Sequence, residues 1–156
     1  MSNKLPIAAT PDPAPDAPPP SYPERSARLQ FAALLLIFGG YFSVAAVMMA
    51  NGINALPAYA PLFTVCVILL AIVLVAGHTL EAIRRRPEPE DERDRLIGWR
   101  AESNASWILG AGVVIAITAM VVNINPVWVA HFLFASLLIS ELTKLALQLL
   151  YYRRGM

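Results

Sequence analysis

Four stretches of this chain are apolar for so long that each could place a whole helix beyond the reach of water. They run from Leu29 to Ala50, Pro61 to Ile83, Ala105 to Val122 and Val127 to Tyr152. A helix rises about 1.5 Å per residue, so roughly 20 residues cross a hydrocarbon core of about 30 Å. None of the four alternates strictly between apolar and polar residues, and VCVILLAIVLVAG (Val65 to Gly77) is unbroken. In lipid each span must satisfy its own backbone hydrogen bonds, which selects helices. Composition agrees: 57% of residues are hydrophobic and 15% charged, against about a quarter charged in soluble domains. The expected fold is an all-α integral membrane protein with spans at about 29–50, 61–83, 105–122 and 127–152.

The connections suggest how the spans pair. NGINALP (Asn51 to Pro57) and NINP (Asn123 to Pro126) are short, uncharged and rich in turn formers, so each should join an antiparallel hairpin. The lysines and arginines are Lys4, Arg25, Arg28, Arg84, Arg85, Arg86, Arg93, Arg95, Arg100, Lys144, Arg153 and Arg154. All lie in the N-terminal segment, the central loop at 84–104, or the end of the fourth span. Positive charge stays inside, so both termini and the central loop are expected to be cytoplasmic. Residues 1–27 read as a disordered, proline-rich cytoplasmic tail without signal-peptide character, and 28–156 as the four-helix domain. The lone cysteine, Cys66, has no intrachain disulfide partner and reads as a small buried or lipid-facing side chain.

Shifting the first hairpin by 71 positions lays Gly39, Met49, Ile53 and Asn54 over Gly110, Met120, Ile124 and Asn125, which raises a parallel duplication. Small residues form stripes on two spans: Gly39, Ser43, Ala46 and Ala50 on the first, and Gly112, Ala116 and Ala119 on the third. Such stripes let helices approach closely in lipid, either within one chain or between two copies. Trp99, Trp107, Tyr151 and Tyr152 near one interface, and Tyr59 and Trp128 near the other, read as headgroup anchors.

Ionisable residues inside spans are costly and draw functional interest. His78, Glu81, Glu141 and Lys144 all fall in the cytoplasmic third, while His131 lies near the outer surface, too far away to share a ligand with His78. Ser136, Ser140, Lys144 and Gln148 recur every four residues, giving the fourth helix a polar seam. If that seam faces the bundle, the second and fourth helices are placed to share a polar cluster at the inner leaflet. The readings open at this point are snorkelling with Glu141 neutralised by Lys144, a proton- or cation-responsive site, and a partner-binding seam.

In the central loop, Pro87 and Pro89 should stop the second helix. Asp91 is placed to cap the next, and Glu92 and Asp94 would complement its dipole. Leu96, Ile97 and Trp99 supply apolar contact while Arg93, Arg95 and Arg100 reach phosphates, which predicts a short headgroup-level helix leading into the third span.

Asp91-Glu92-Arg93-Asp94, then Ile97, then Arg100-Ala101, resembles the Asp-Glu-Arg-(Asp/Glu)-x-x-Ile-x-x-(Arg/Lys)-Ala signature of small, uncharacterised four-helix membrane proteins of bacteria and archaea. In them the signature likewise sits between two transmembrane hairpins. The resemblance covers Asp91 to Ala101 and the general layout. It implies a multi-pass protein of the bacterial inner membrane, with no chemistry to carry over. The four-helix multidrug exporters do not fit, because their first span carries a glutamate and Leu29 to Ala50 has none.

No phosphate loop, catalytic triad, metal-ligand spacing or nucleic-acid module is visible, and no cofactor is expected. The expectation is a non-enzymatic inner-membrane protein acting by self-association or by partner binding through its loop, against anionic headgroups. The alternative is a small oligomeric ion- or proton-coupled transporter or channel using His78, Glu81, Glu141 and Lys144.

Overall fold

A computed structural model describes residues 22–84 and 91–154, and every regular element in them is helical. The long helices are α1 (Tyr22–Ala50), α2 (Ala60–Arg84), α3 (Glu92–Val121) and α4 (Pro126–Arg154), with a 3-10 turn at Leu56–Tyr59 ahead of α2. All four are long and apolar enough to cross a membrane. The tail up to Ser21, the segment holding Arg85, Arg86, Pro87 and Pro89, and the side chain of Glu81 lie outside the described residues.

Two helices begin earlier than their apolar runs. Residues 22–27, expected in the tail, form the first turns of α1. Pro23 has no N–H to lose in a first turn, Glu24 complements the helix dipole, and Glu24 pairs with Arg28 one turn on. Residues 92–104, expected as a loop with a short separate helix, are continuous with α3. Asp91 caps it, its carboxylate accepting from the Glu92 N–H at 2.7 Å. Ile97, Ala101 and Ala105 then recur every four residues on one buried face, which carries packing through the polar segment. At 30 residues, α3 is about 45 Å long, well over a hydrocarbon thickness.

The two turns share one backbone solution. After α1, Ile53 N–H donates to Met48 O and Gly52 N–H to Met49 O. After α3, Ile124 N–H donates to Ala119 O and Asn123 N–H to Met120 O. Both are Schellman closures that need a left-handed residue, supplied by Gly52 (φ 79°) and Asn123 (φ 59°). They coincide at the 71-residue offset seen in the sequence. Asn125 Oδ1 then caps α4 through the Val127 N–H at 2.9 Å, with Pro126 at the first helical position.

The extensive contacts are α3 with α4, α4 with α1, and α1 with α2. The helices therefore follow the order α2–α1–α4–α3, with α1 and α4 inside and no comparable contact between α2 and α3. The main core gathers Phe38, Tyr41 and Ala45 of α1, Tyr59 of the 3-10 turn, Cys66 of α2 and Val127 of α4. Elsewhere α2 shows large aliphatic side chains to its surroundings, Val65, Ile72 and Val75 being about three-fifths exposed. In lipid such a surface costs nothing to leave unpaired, because the solvent is itself hydrocarbon.

Candidate functional site

The polar residues singled out in the spans separate into two groups. Glu141 and Lys144 form an ion pair along α4, Nζ to Oε2 3.4 Å, with about a quarter of the lysine side chain exposed. His78 is half-buried on α2. Its neighbour Gly77 faces Leu29 of α1, where an added Cβ would come within 2.3 Å of a leucine methyl. α2 and α4 touch through Phe63 and Phe134, rings 5.2 Å apart, but make no extensive contact, and no hydrogen bond or ion pair joins His78 to Glu141 or Lys144 among the described residues. Glu81, the fourth residue of the expected cluster, has its side chain outside the described residues.

Of the α4 seam, Ser136 and Ser140 are covered by α3, while Lys144 and Gln148 also line a cleft toward α1. Ser140 Oγ donates to the Ala105 carbonyl at 3.0 Å, a bond between helices. Ser136 Oγ returns to its own helix at Phe132 O (2.9 Å) and meets Gly112 of α3 so closely that only a glycine fits there. Gln148 lies beside Gly98, and Asn104 Nδ2 donates to the Tyr151 hydroxyl at 3.1 Å. Small residues on α3 thus admit the polar rungs of α4, and Gly112 and Ala116 of the expected stripe are buried there. Their equivalents on α1 are not. Gly39, Ser43, Ala46 and Ala50 are all exposed, and a Cβ added at Gly39 would meet nothing within 4 Å. The reason is that α1 meets its neighbours with the opposite side, through Phe38, Tyr41 and Ala45.

The loop motif resolves into a cap and a packing face. Asp91 caps, Glu92, Arg93 and Arg100 are exposed, and Asp94 is half-buried. Ile97 and Ala101 are sealed inside. On the outer side, Arg95 places its guanidinium carbon 5.9 Å from the Trp99 ring centre, next to an exposed Leu96. Replacing Asp91 by Ala should cost about 1 kcal/mol of local stability. It would be read as faster amide exchange confined to the first turns of α3.

A second buried polar contact joins His131, which the sequence placed near the outer surface, to Tyr41, which it did not single out. His131, in the second turn of α4, is buried, and its Nδ1 lies 2.7 Å from the Val127 carbonyl. A carbonyl can only accept, so Nδ1 carries the proton, and in the neutral ring Nε2 accepts from the Tyr41 hydroxyl at 3.0 Å. Tyr41 and His131 also stack with their planes 14° apart, and Tyr59 meets the imidazole edge-on at 4.6 Å. Tyr59, expected as a headgroup anchor, is instead a core residue whose hydroxyl donates to Ile53 O at 2.6 Å. An apolar cleft of about 450 Å³ opens beside this group, walled by Phe63, Phe134 and Leu137. Both imidazole nitrogens are engaged, so the arrangement locks α1 to α4 and offers no idle base. Nothing in the spacing of Tyr41 and His131, 90 residues apart, marks them as partners; only the α1–α4 contact does.

Among the described residues, no three His, Cys, Asp or Glu side chains gather into a metal-binding group. Comparison with known protein families, curated proteins and solved structures finds no match to this chain.

Proposed function

We propose that this chain is a non-enzymatic, multi-pass inner-membrane protein that acts by self-association. Its four helices cross the bilayer as two antiparallel hairpins, with both termini and the α2–α3 connection on the cytoplasmic side. Two features support that topology. The described cations lie at the start of α1 and α3, at the end of α2 and toward the end of α4, and the two short turns carry none. Contacts also pair in reverse order: Leu29 with Gly77 and Tyr41 with Phe63, then Gly98 with Gln148 and Gly112 with Ser136. Arg95, Arg100 and Trp99 on the exposed start of α3 suit the anionic headgroups of that face.

The observation that carries the functional reading is the unused stripe on α1. Gly39, Ser43, Ala46 and Ala50 offer the small, close-approach surface that drives helix association in lipid, yet none of the described residues packs on it. The transporter alternative draws less support, because among the described residues no hydrogen bond or ion pair joins His78 to Glu141 or Lys144.

Fluorescence energy transfer between labelled copies in liposomes tests the reading. Gly39→Leu should weaken self-association about tenfold, or about 1.4 kcal/mol. Gly110→Leu, equally unhindered but on α3, should leave it unchanged. A wild-type protein that stays monomeric at every protein-to-lipid ratio would overturn it.

A further inference from the structure

At the end of the molecule where the cations gather, the start of α1 and the last turns of α4 enclose a polar cleft of about 330 Å³. It is a different place from the apolar cleft beside His131, and its lining is of another kind. Tyr22, Ser26 and Gln30 recur every four residues on α1, and Lys144 and Gln148 do the same on α4, with Leu145 as its apolar floor. Two ladders of hydrogen-bonding side chains therefore face each other across a gap that no described residue fills.

Depth says what solvent the cleft meets. Lys144 lies 18 residues along α4 from Pro126, and Gln30 lies 20 residues back along α1 from Ala50. At 1.5 Å per residue these are about 27 and 30 Å, one hydrocarbon thickness from the uncharged turns. The cleft thus opens at the level of the phospholipid phosphates on the arginine-rich side.

Its chemistry matches a phosphate ester. Lys144 brings a positive charge and three donors, and among the described residues no carboxylate lines the cleft. Glu141 takes one of those donors from the rim, where its side chain is 45% exposed, and leaves the others free to turn inward. Gln30 Nε2 donates to Ser26 Oγ at 3.1 Å, so the serine proton is available for another acceptor. Basic clefts between spans on the cytoplasmic side are a recurrent way of holding lipid headgroups.

We propose that this cleft binds the phosphate of one phospholipid from the cytoplasmic leaflet, with Lys144 as its cation and Ser26, Gln30 and Gln148 as its donors. The assignment rests on the membrane-spanning topology above. It adds a defined lipid site to a protein otherwise read as acting through protein contacts.

The test uses the full chain, purified in detergent, stripped of lipid and titrated with phosphatidylglycerol, with native mass spectrometry counting bound lipid. Lys144→Met should weaken binding about tenfold and Gln148→Leu several-fold, as expected for lost charge-assisted and neutral hydrogen bonds. Glu141→Gln should act in the opposite direction, tightening binding about threefold by releasing the lysine from its carboxylate. A purely structural ion pair would make both substitutions at the pair harmful, so the opposed signs are diagnostic. Arg28→Gln, on the far side of α1 from the cleft and paired with Glu24, should bind as the wild type does. Thermal melts confirm that each variant is folded.

Unchanged binding in Lys144→Met, or weakened binding in Glu141→Gln, would overturn the site. Displacement of the lipid by millimolar inorganic phosphate would reassign it to a soluble anion and overturn the lipid assignment. Failure of the topology shows separately, as release of the wild-type chain from membranes by alkaline carbonate.

Discussion

A single methyl group added at Gly112 should part α3 from α4. The Cβ of Gly112→Ala would stand 2.3 Å from Ser136 Cβ and 2.4 Å from its Oγ, closer than real carbon atoms approach. Ser136 cannot swing aside as a long side chain would, because the clash reaches the first atom off its backbone. The helices must therefore shift, loosening the Ser140–Ala105 hydrogen bond one to two turns away. Overpacking of this kind costs about 1–3 kcal/mol, and the upper end is expected here. Reversible unfolding in bicelles measures it.

The same substitution elsewhere provides the contrast. Gly77→Ala meets only the methyl end of Leu29, which can choose another rotamer, so it should cost less than about 1 kcal/mol. Gly110→Ala meets nothing within 4 Å and should be neutral, or should stabilise α3 by up to about 1 kcal/mol through helix propensity. The decisive variant exchanges the two seam residues. Ser136 Cα stands 3.8 Å from the added methyl, an ordinary contact. Gly112→Ala with Ser136→Gly should therefore recover most of the loss, apart from the propensity cost of the new glycine. A double variant no better than Gly112→Ala would mean that the helices meet differently.

These contrasts mark where sequence reasoning reached and where it stopped. The long apolar helices were legible because each displays the length and polarity that crossing a membrane would require. The turns were legible for a similar reason, since Gly52 and Asn123 satisfy a local backbone requirement. Asp91 was legible as a cap, but the distance α3 runs unbroken through a polar segment was not, because Ile97, Ala101 and Ala105 act through burial rather than through hydropathy. The α4 seam was visible as a four-residue repeat, yet its partner was not. In hydrocarbon every helix face is apolar enough to expose, so periodicity no longer says which face turns inward. That is why two similar stripes have different fates: Gly112 and Ala116 sit against α4, whereas Gly39 and Ala46 face outward.

The same limit hid the contact between Tyr41 and His131, and it makes their substitutions the sharpest test of the α1–α4 interface. Tyr41→Phe removes one hydroxyl and leaves His131 Nε2 buried among aromatic rings without a donor. His131→Leu instead leaves the Tyr41 hydroxyl without its acceptor, with Tyr41 only 4% exposed. An orphaned buried polar group costs about 1–3 kcal/mol. Each single variant should therefore lose stability in that range, the histidine variant more because it also gives up ring contacts with Tyr41 and Tyr59. Removing both groups leaves nothing orphaned. Tyr41→Phe with His131→Leu should lose less than the two singles summed, with a coupling of about 0.6–1.7 kcal/mol, the span found for interhelical hydrogen bonds in lipid. Unfolding of the four proteins in bicelles gives the cycle directly. Strict additivity would show that the rings are held together by packing alone. Positive coupling would show that one hydrogen bond, between residues 90 positions apart, fixes the register in which the first and last helices meet.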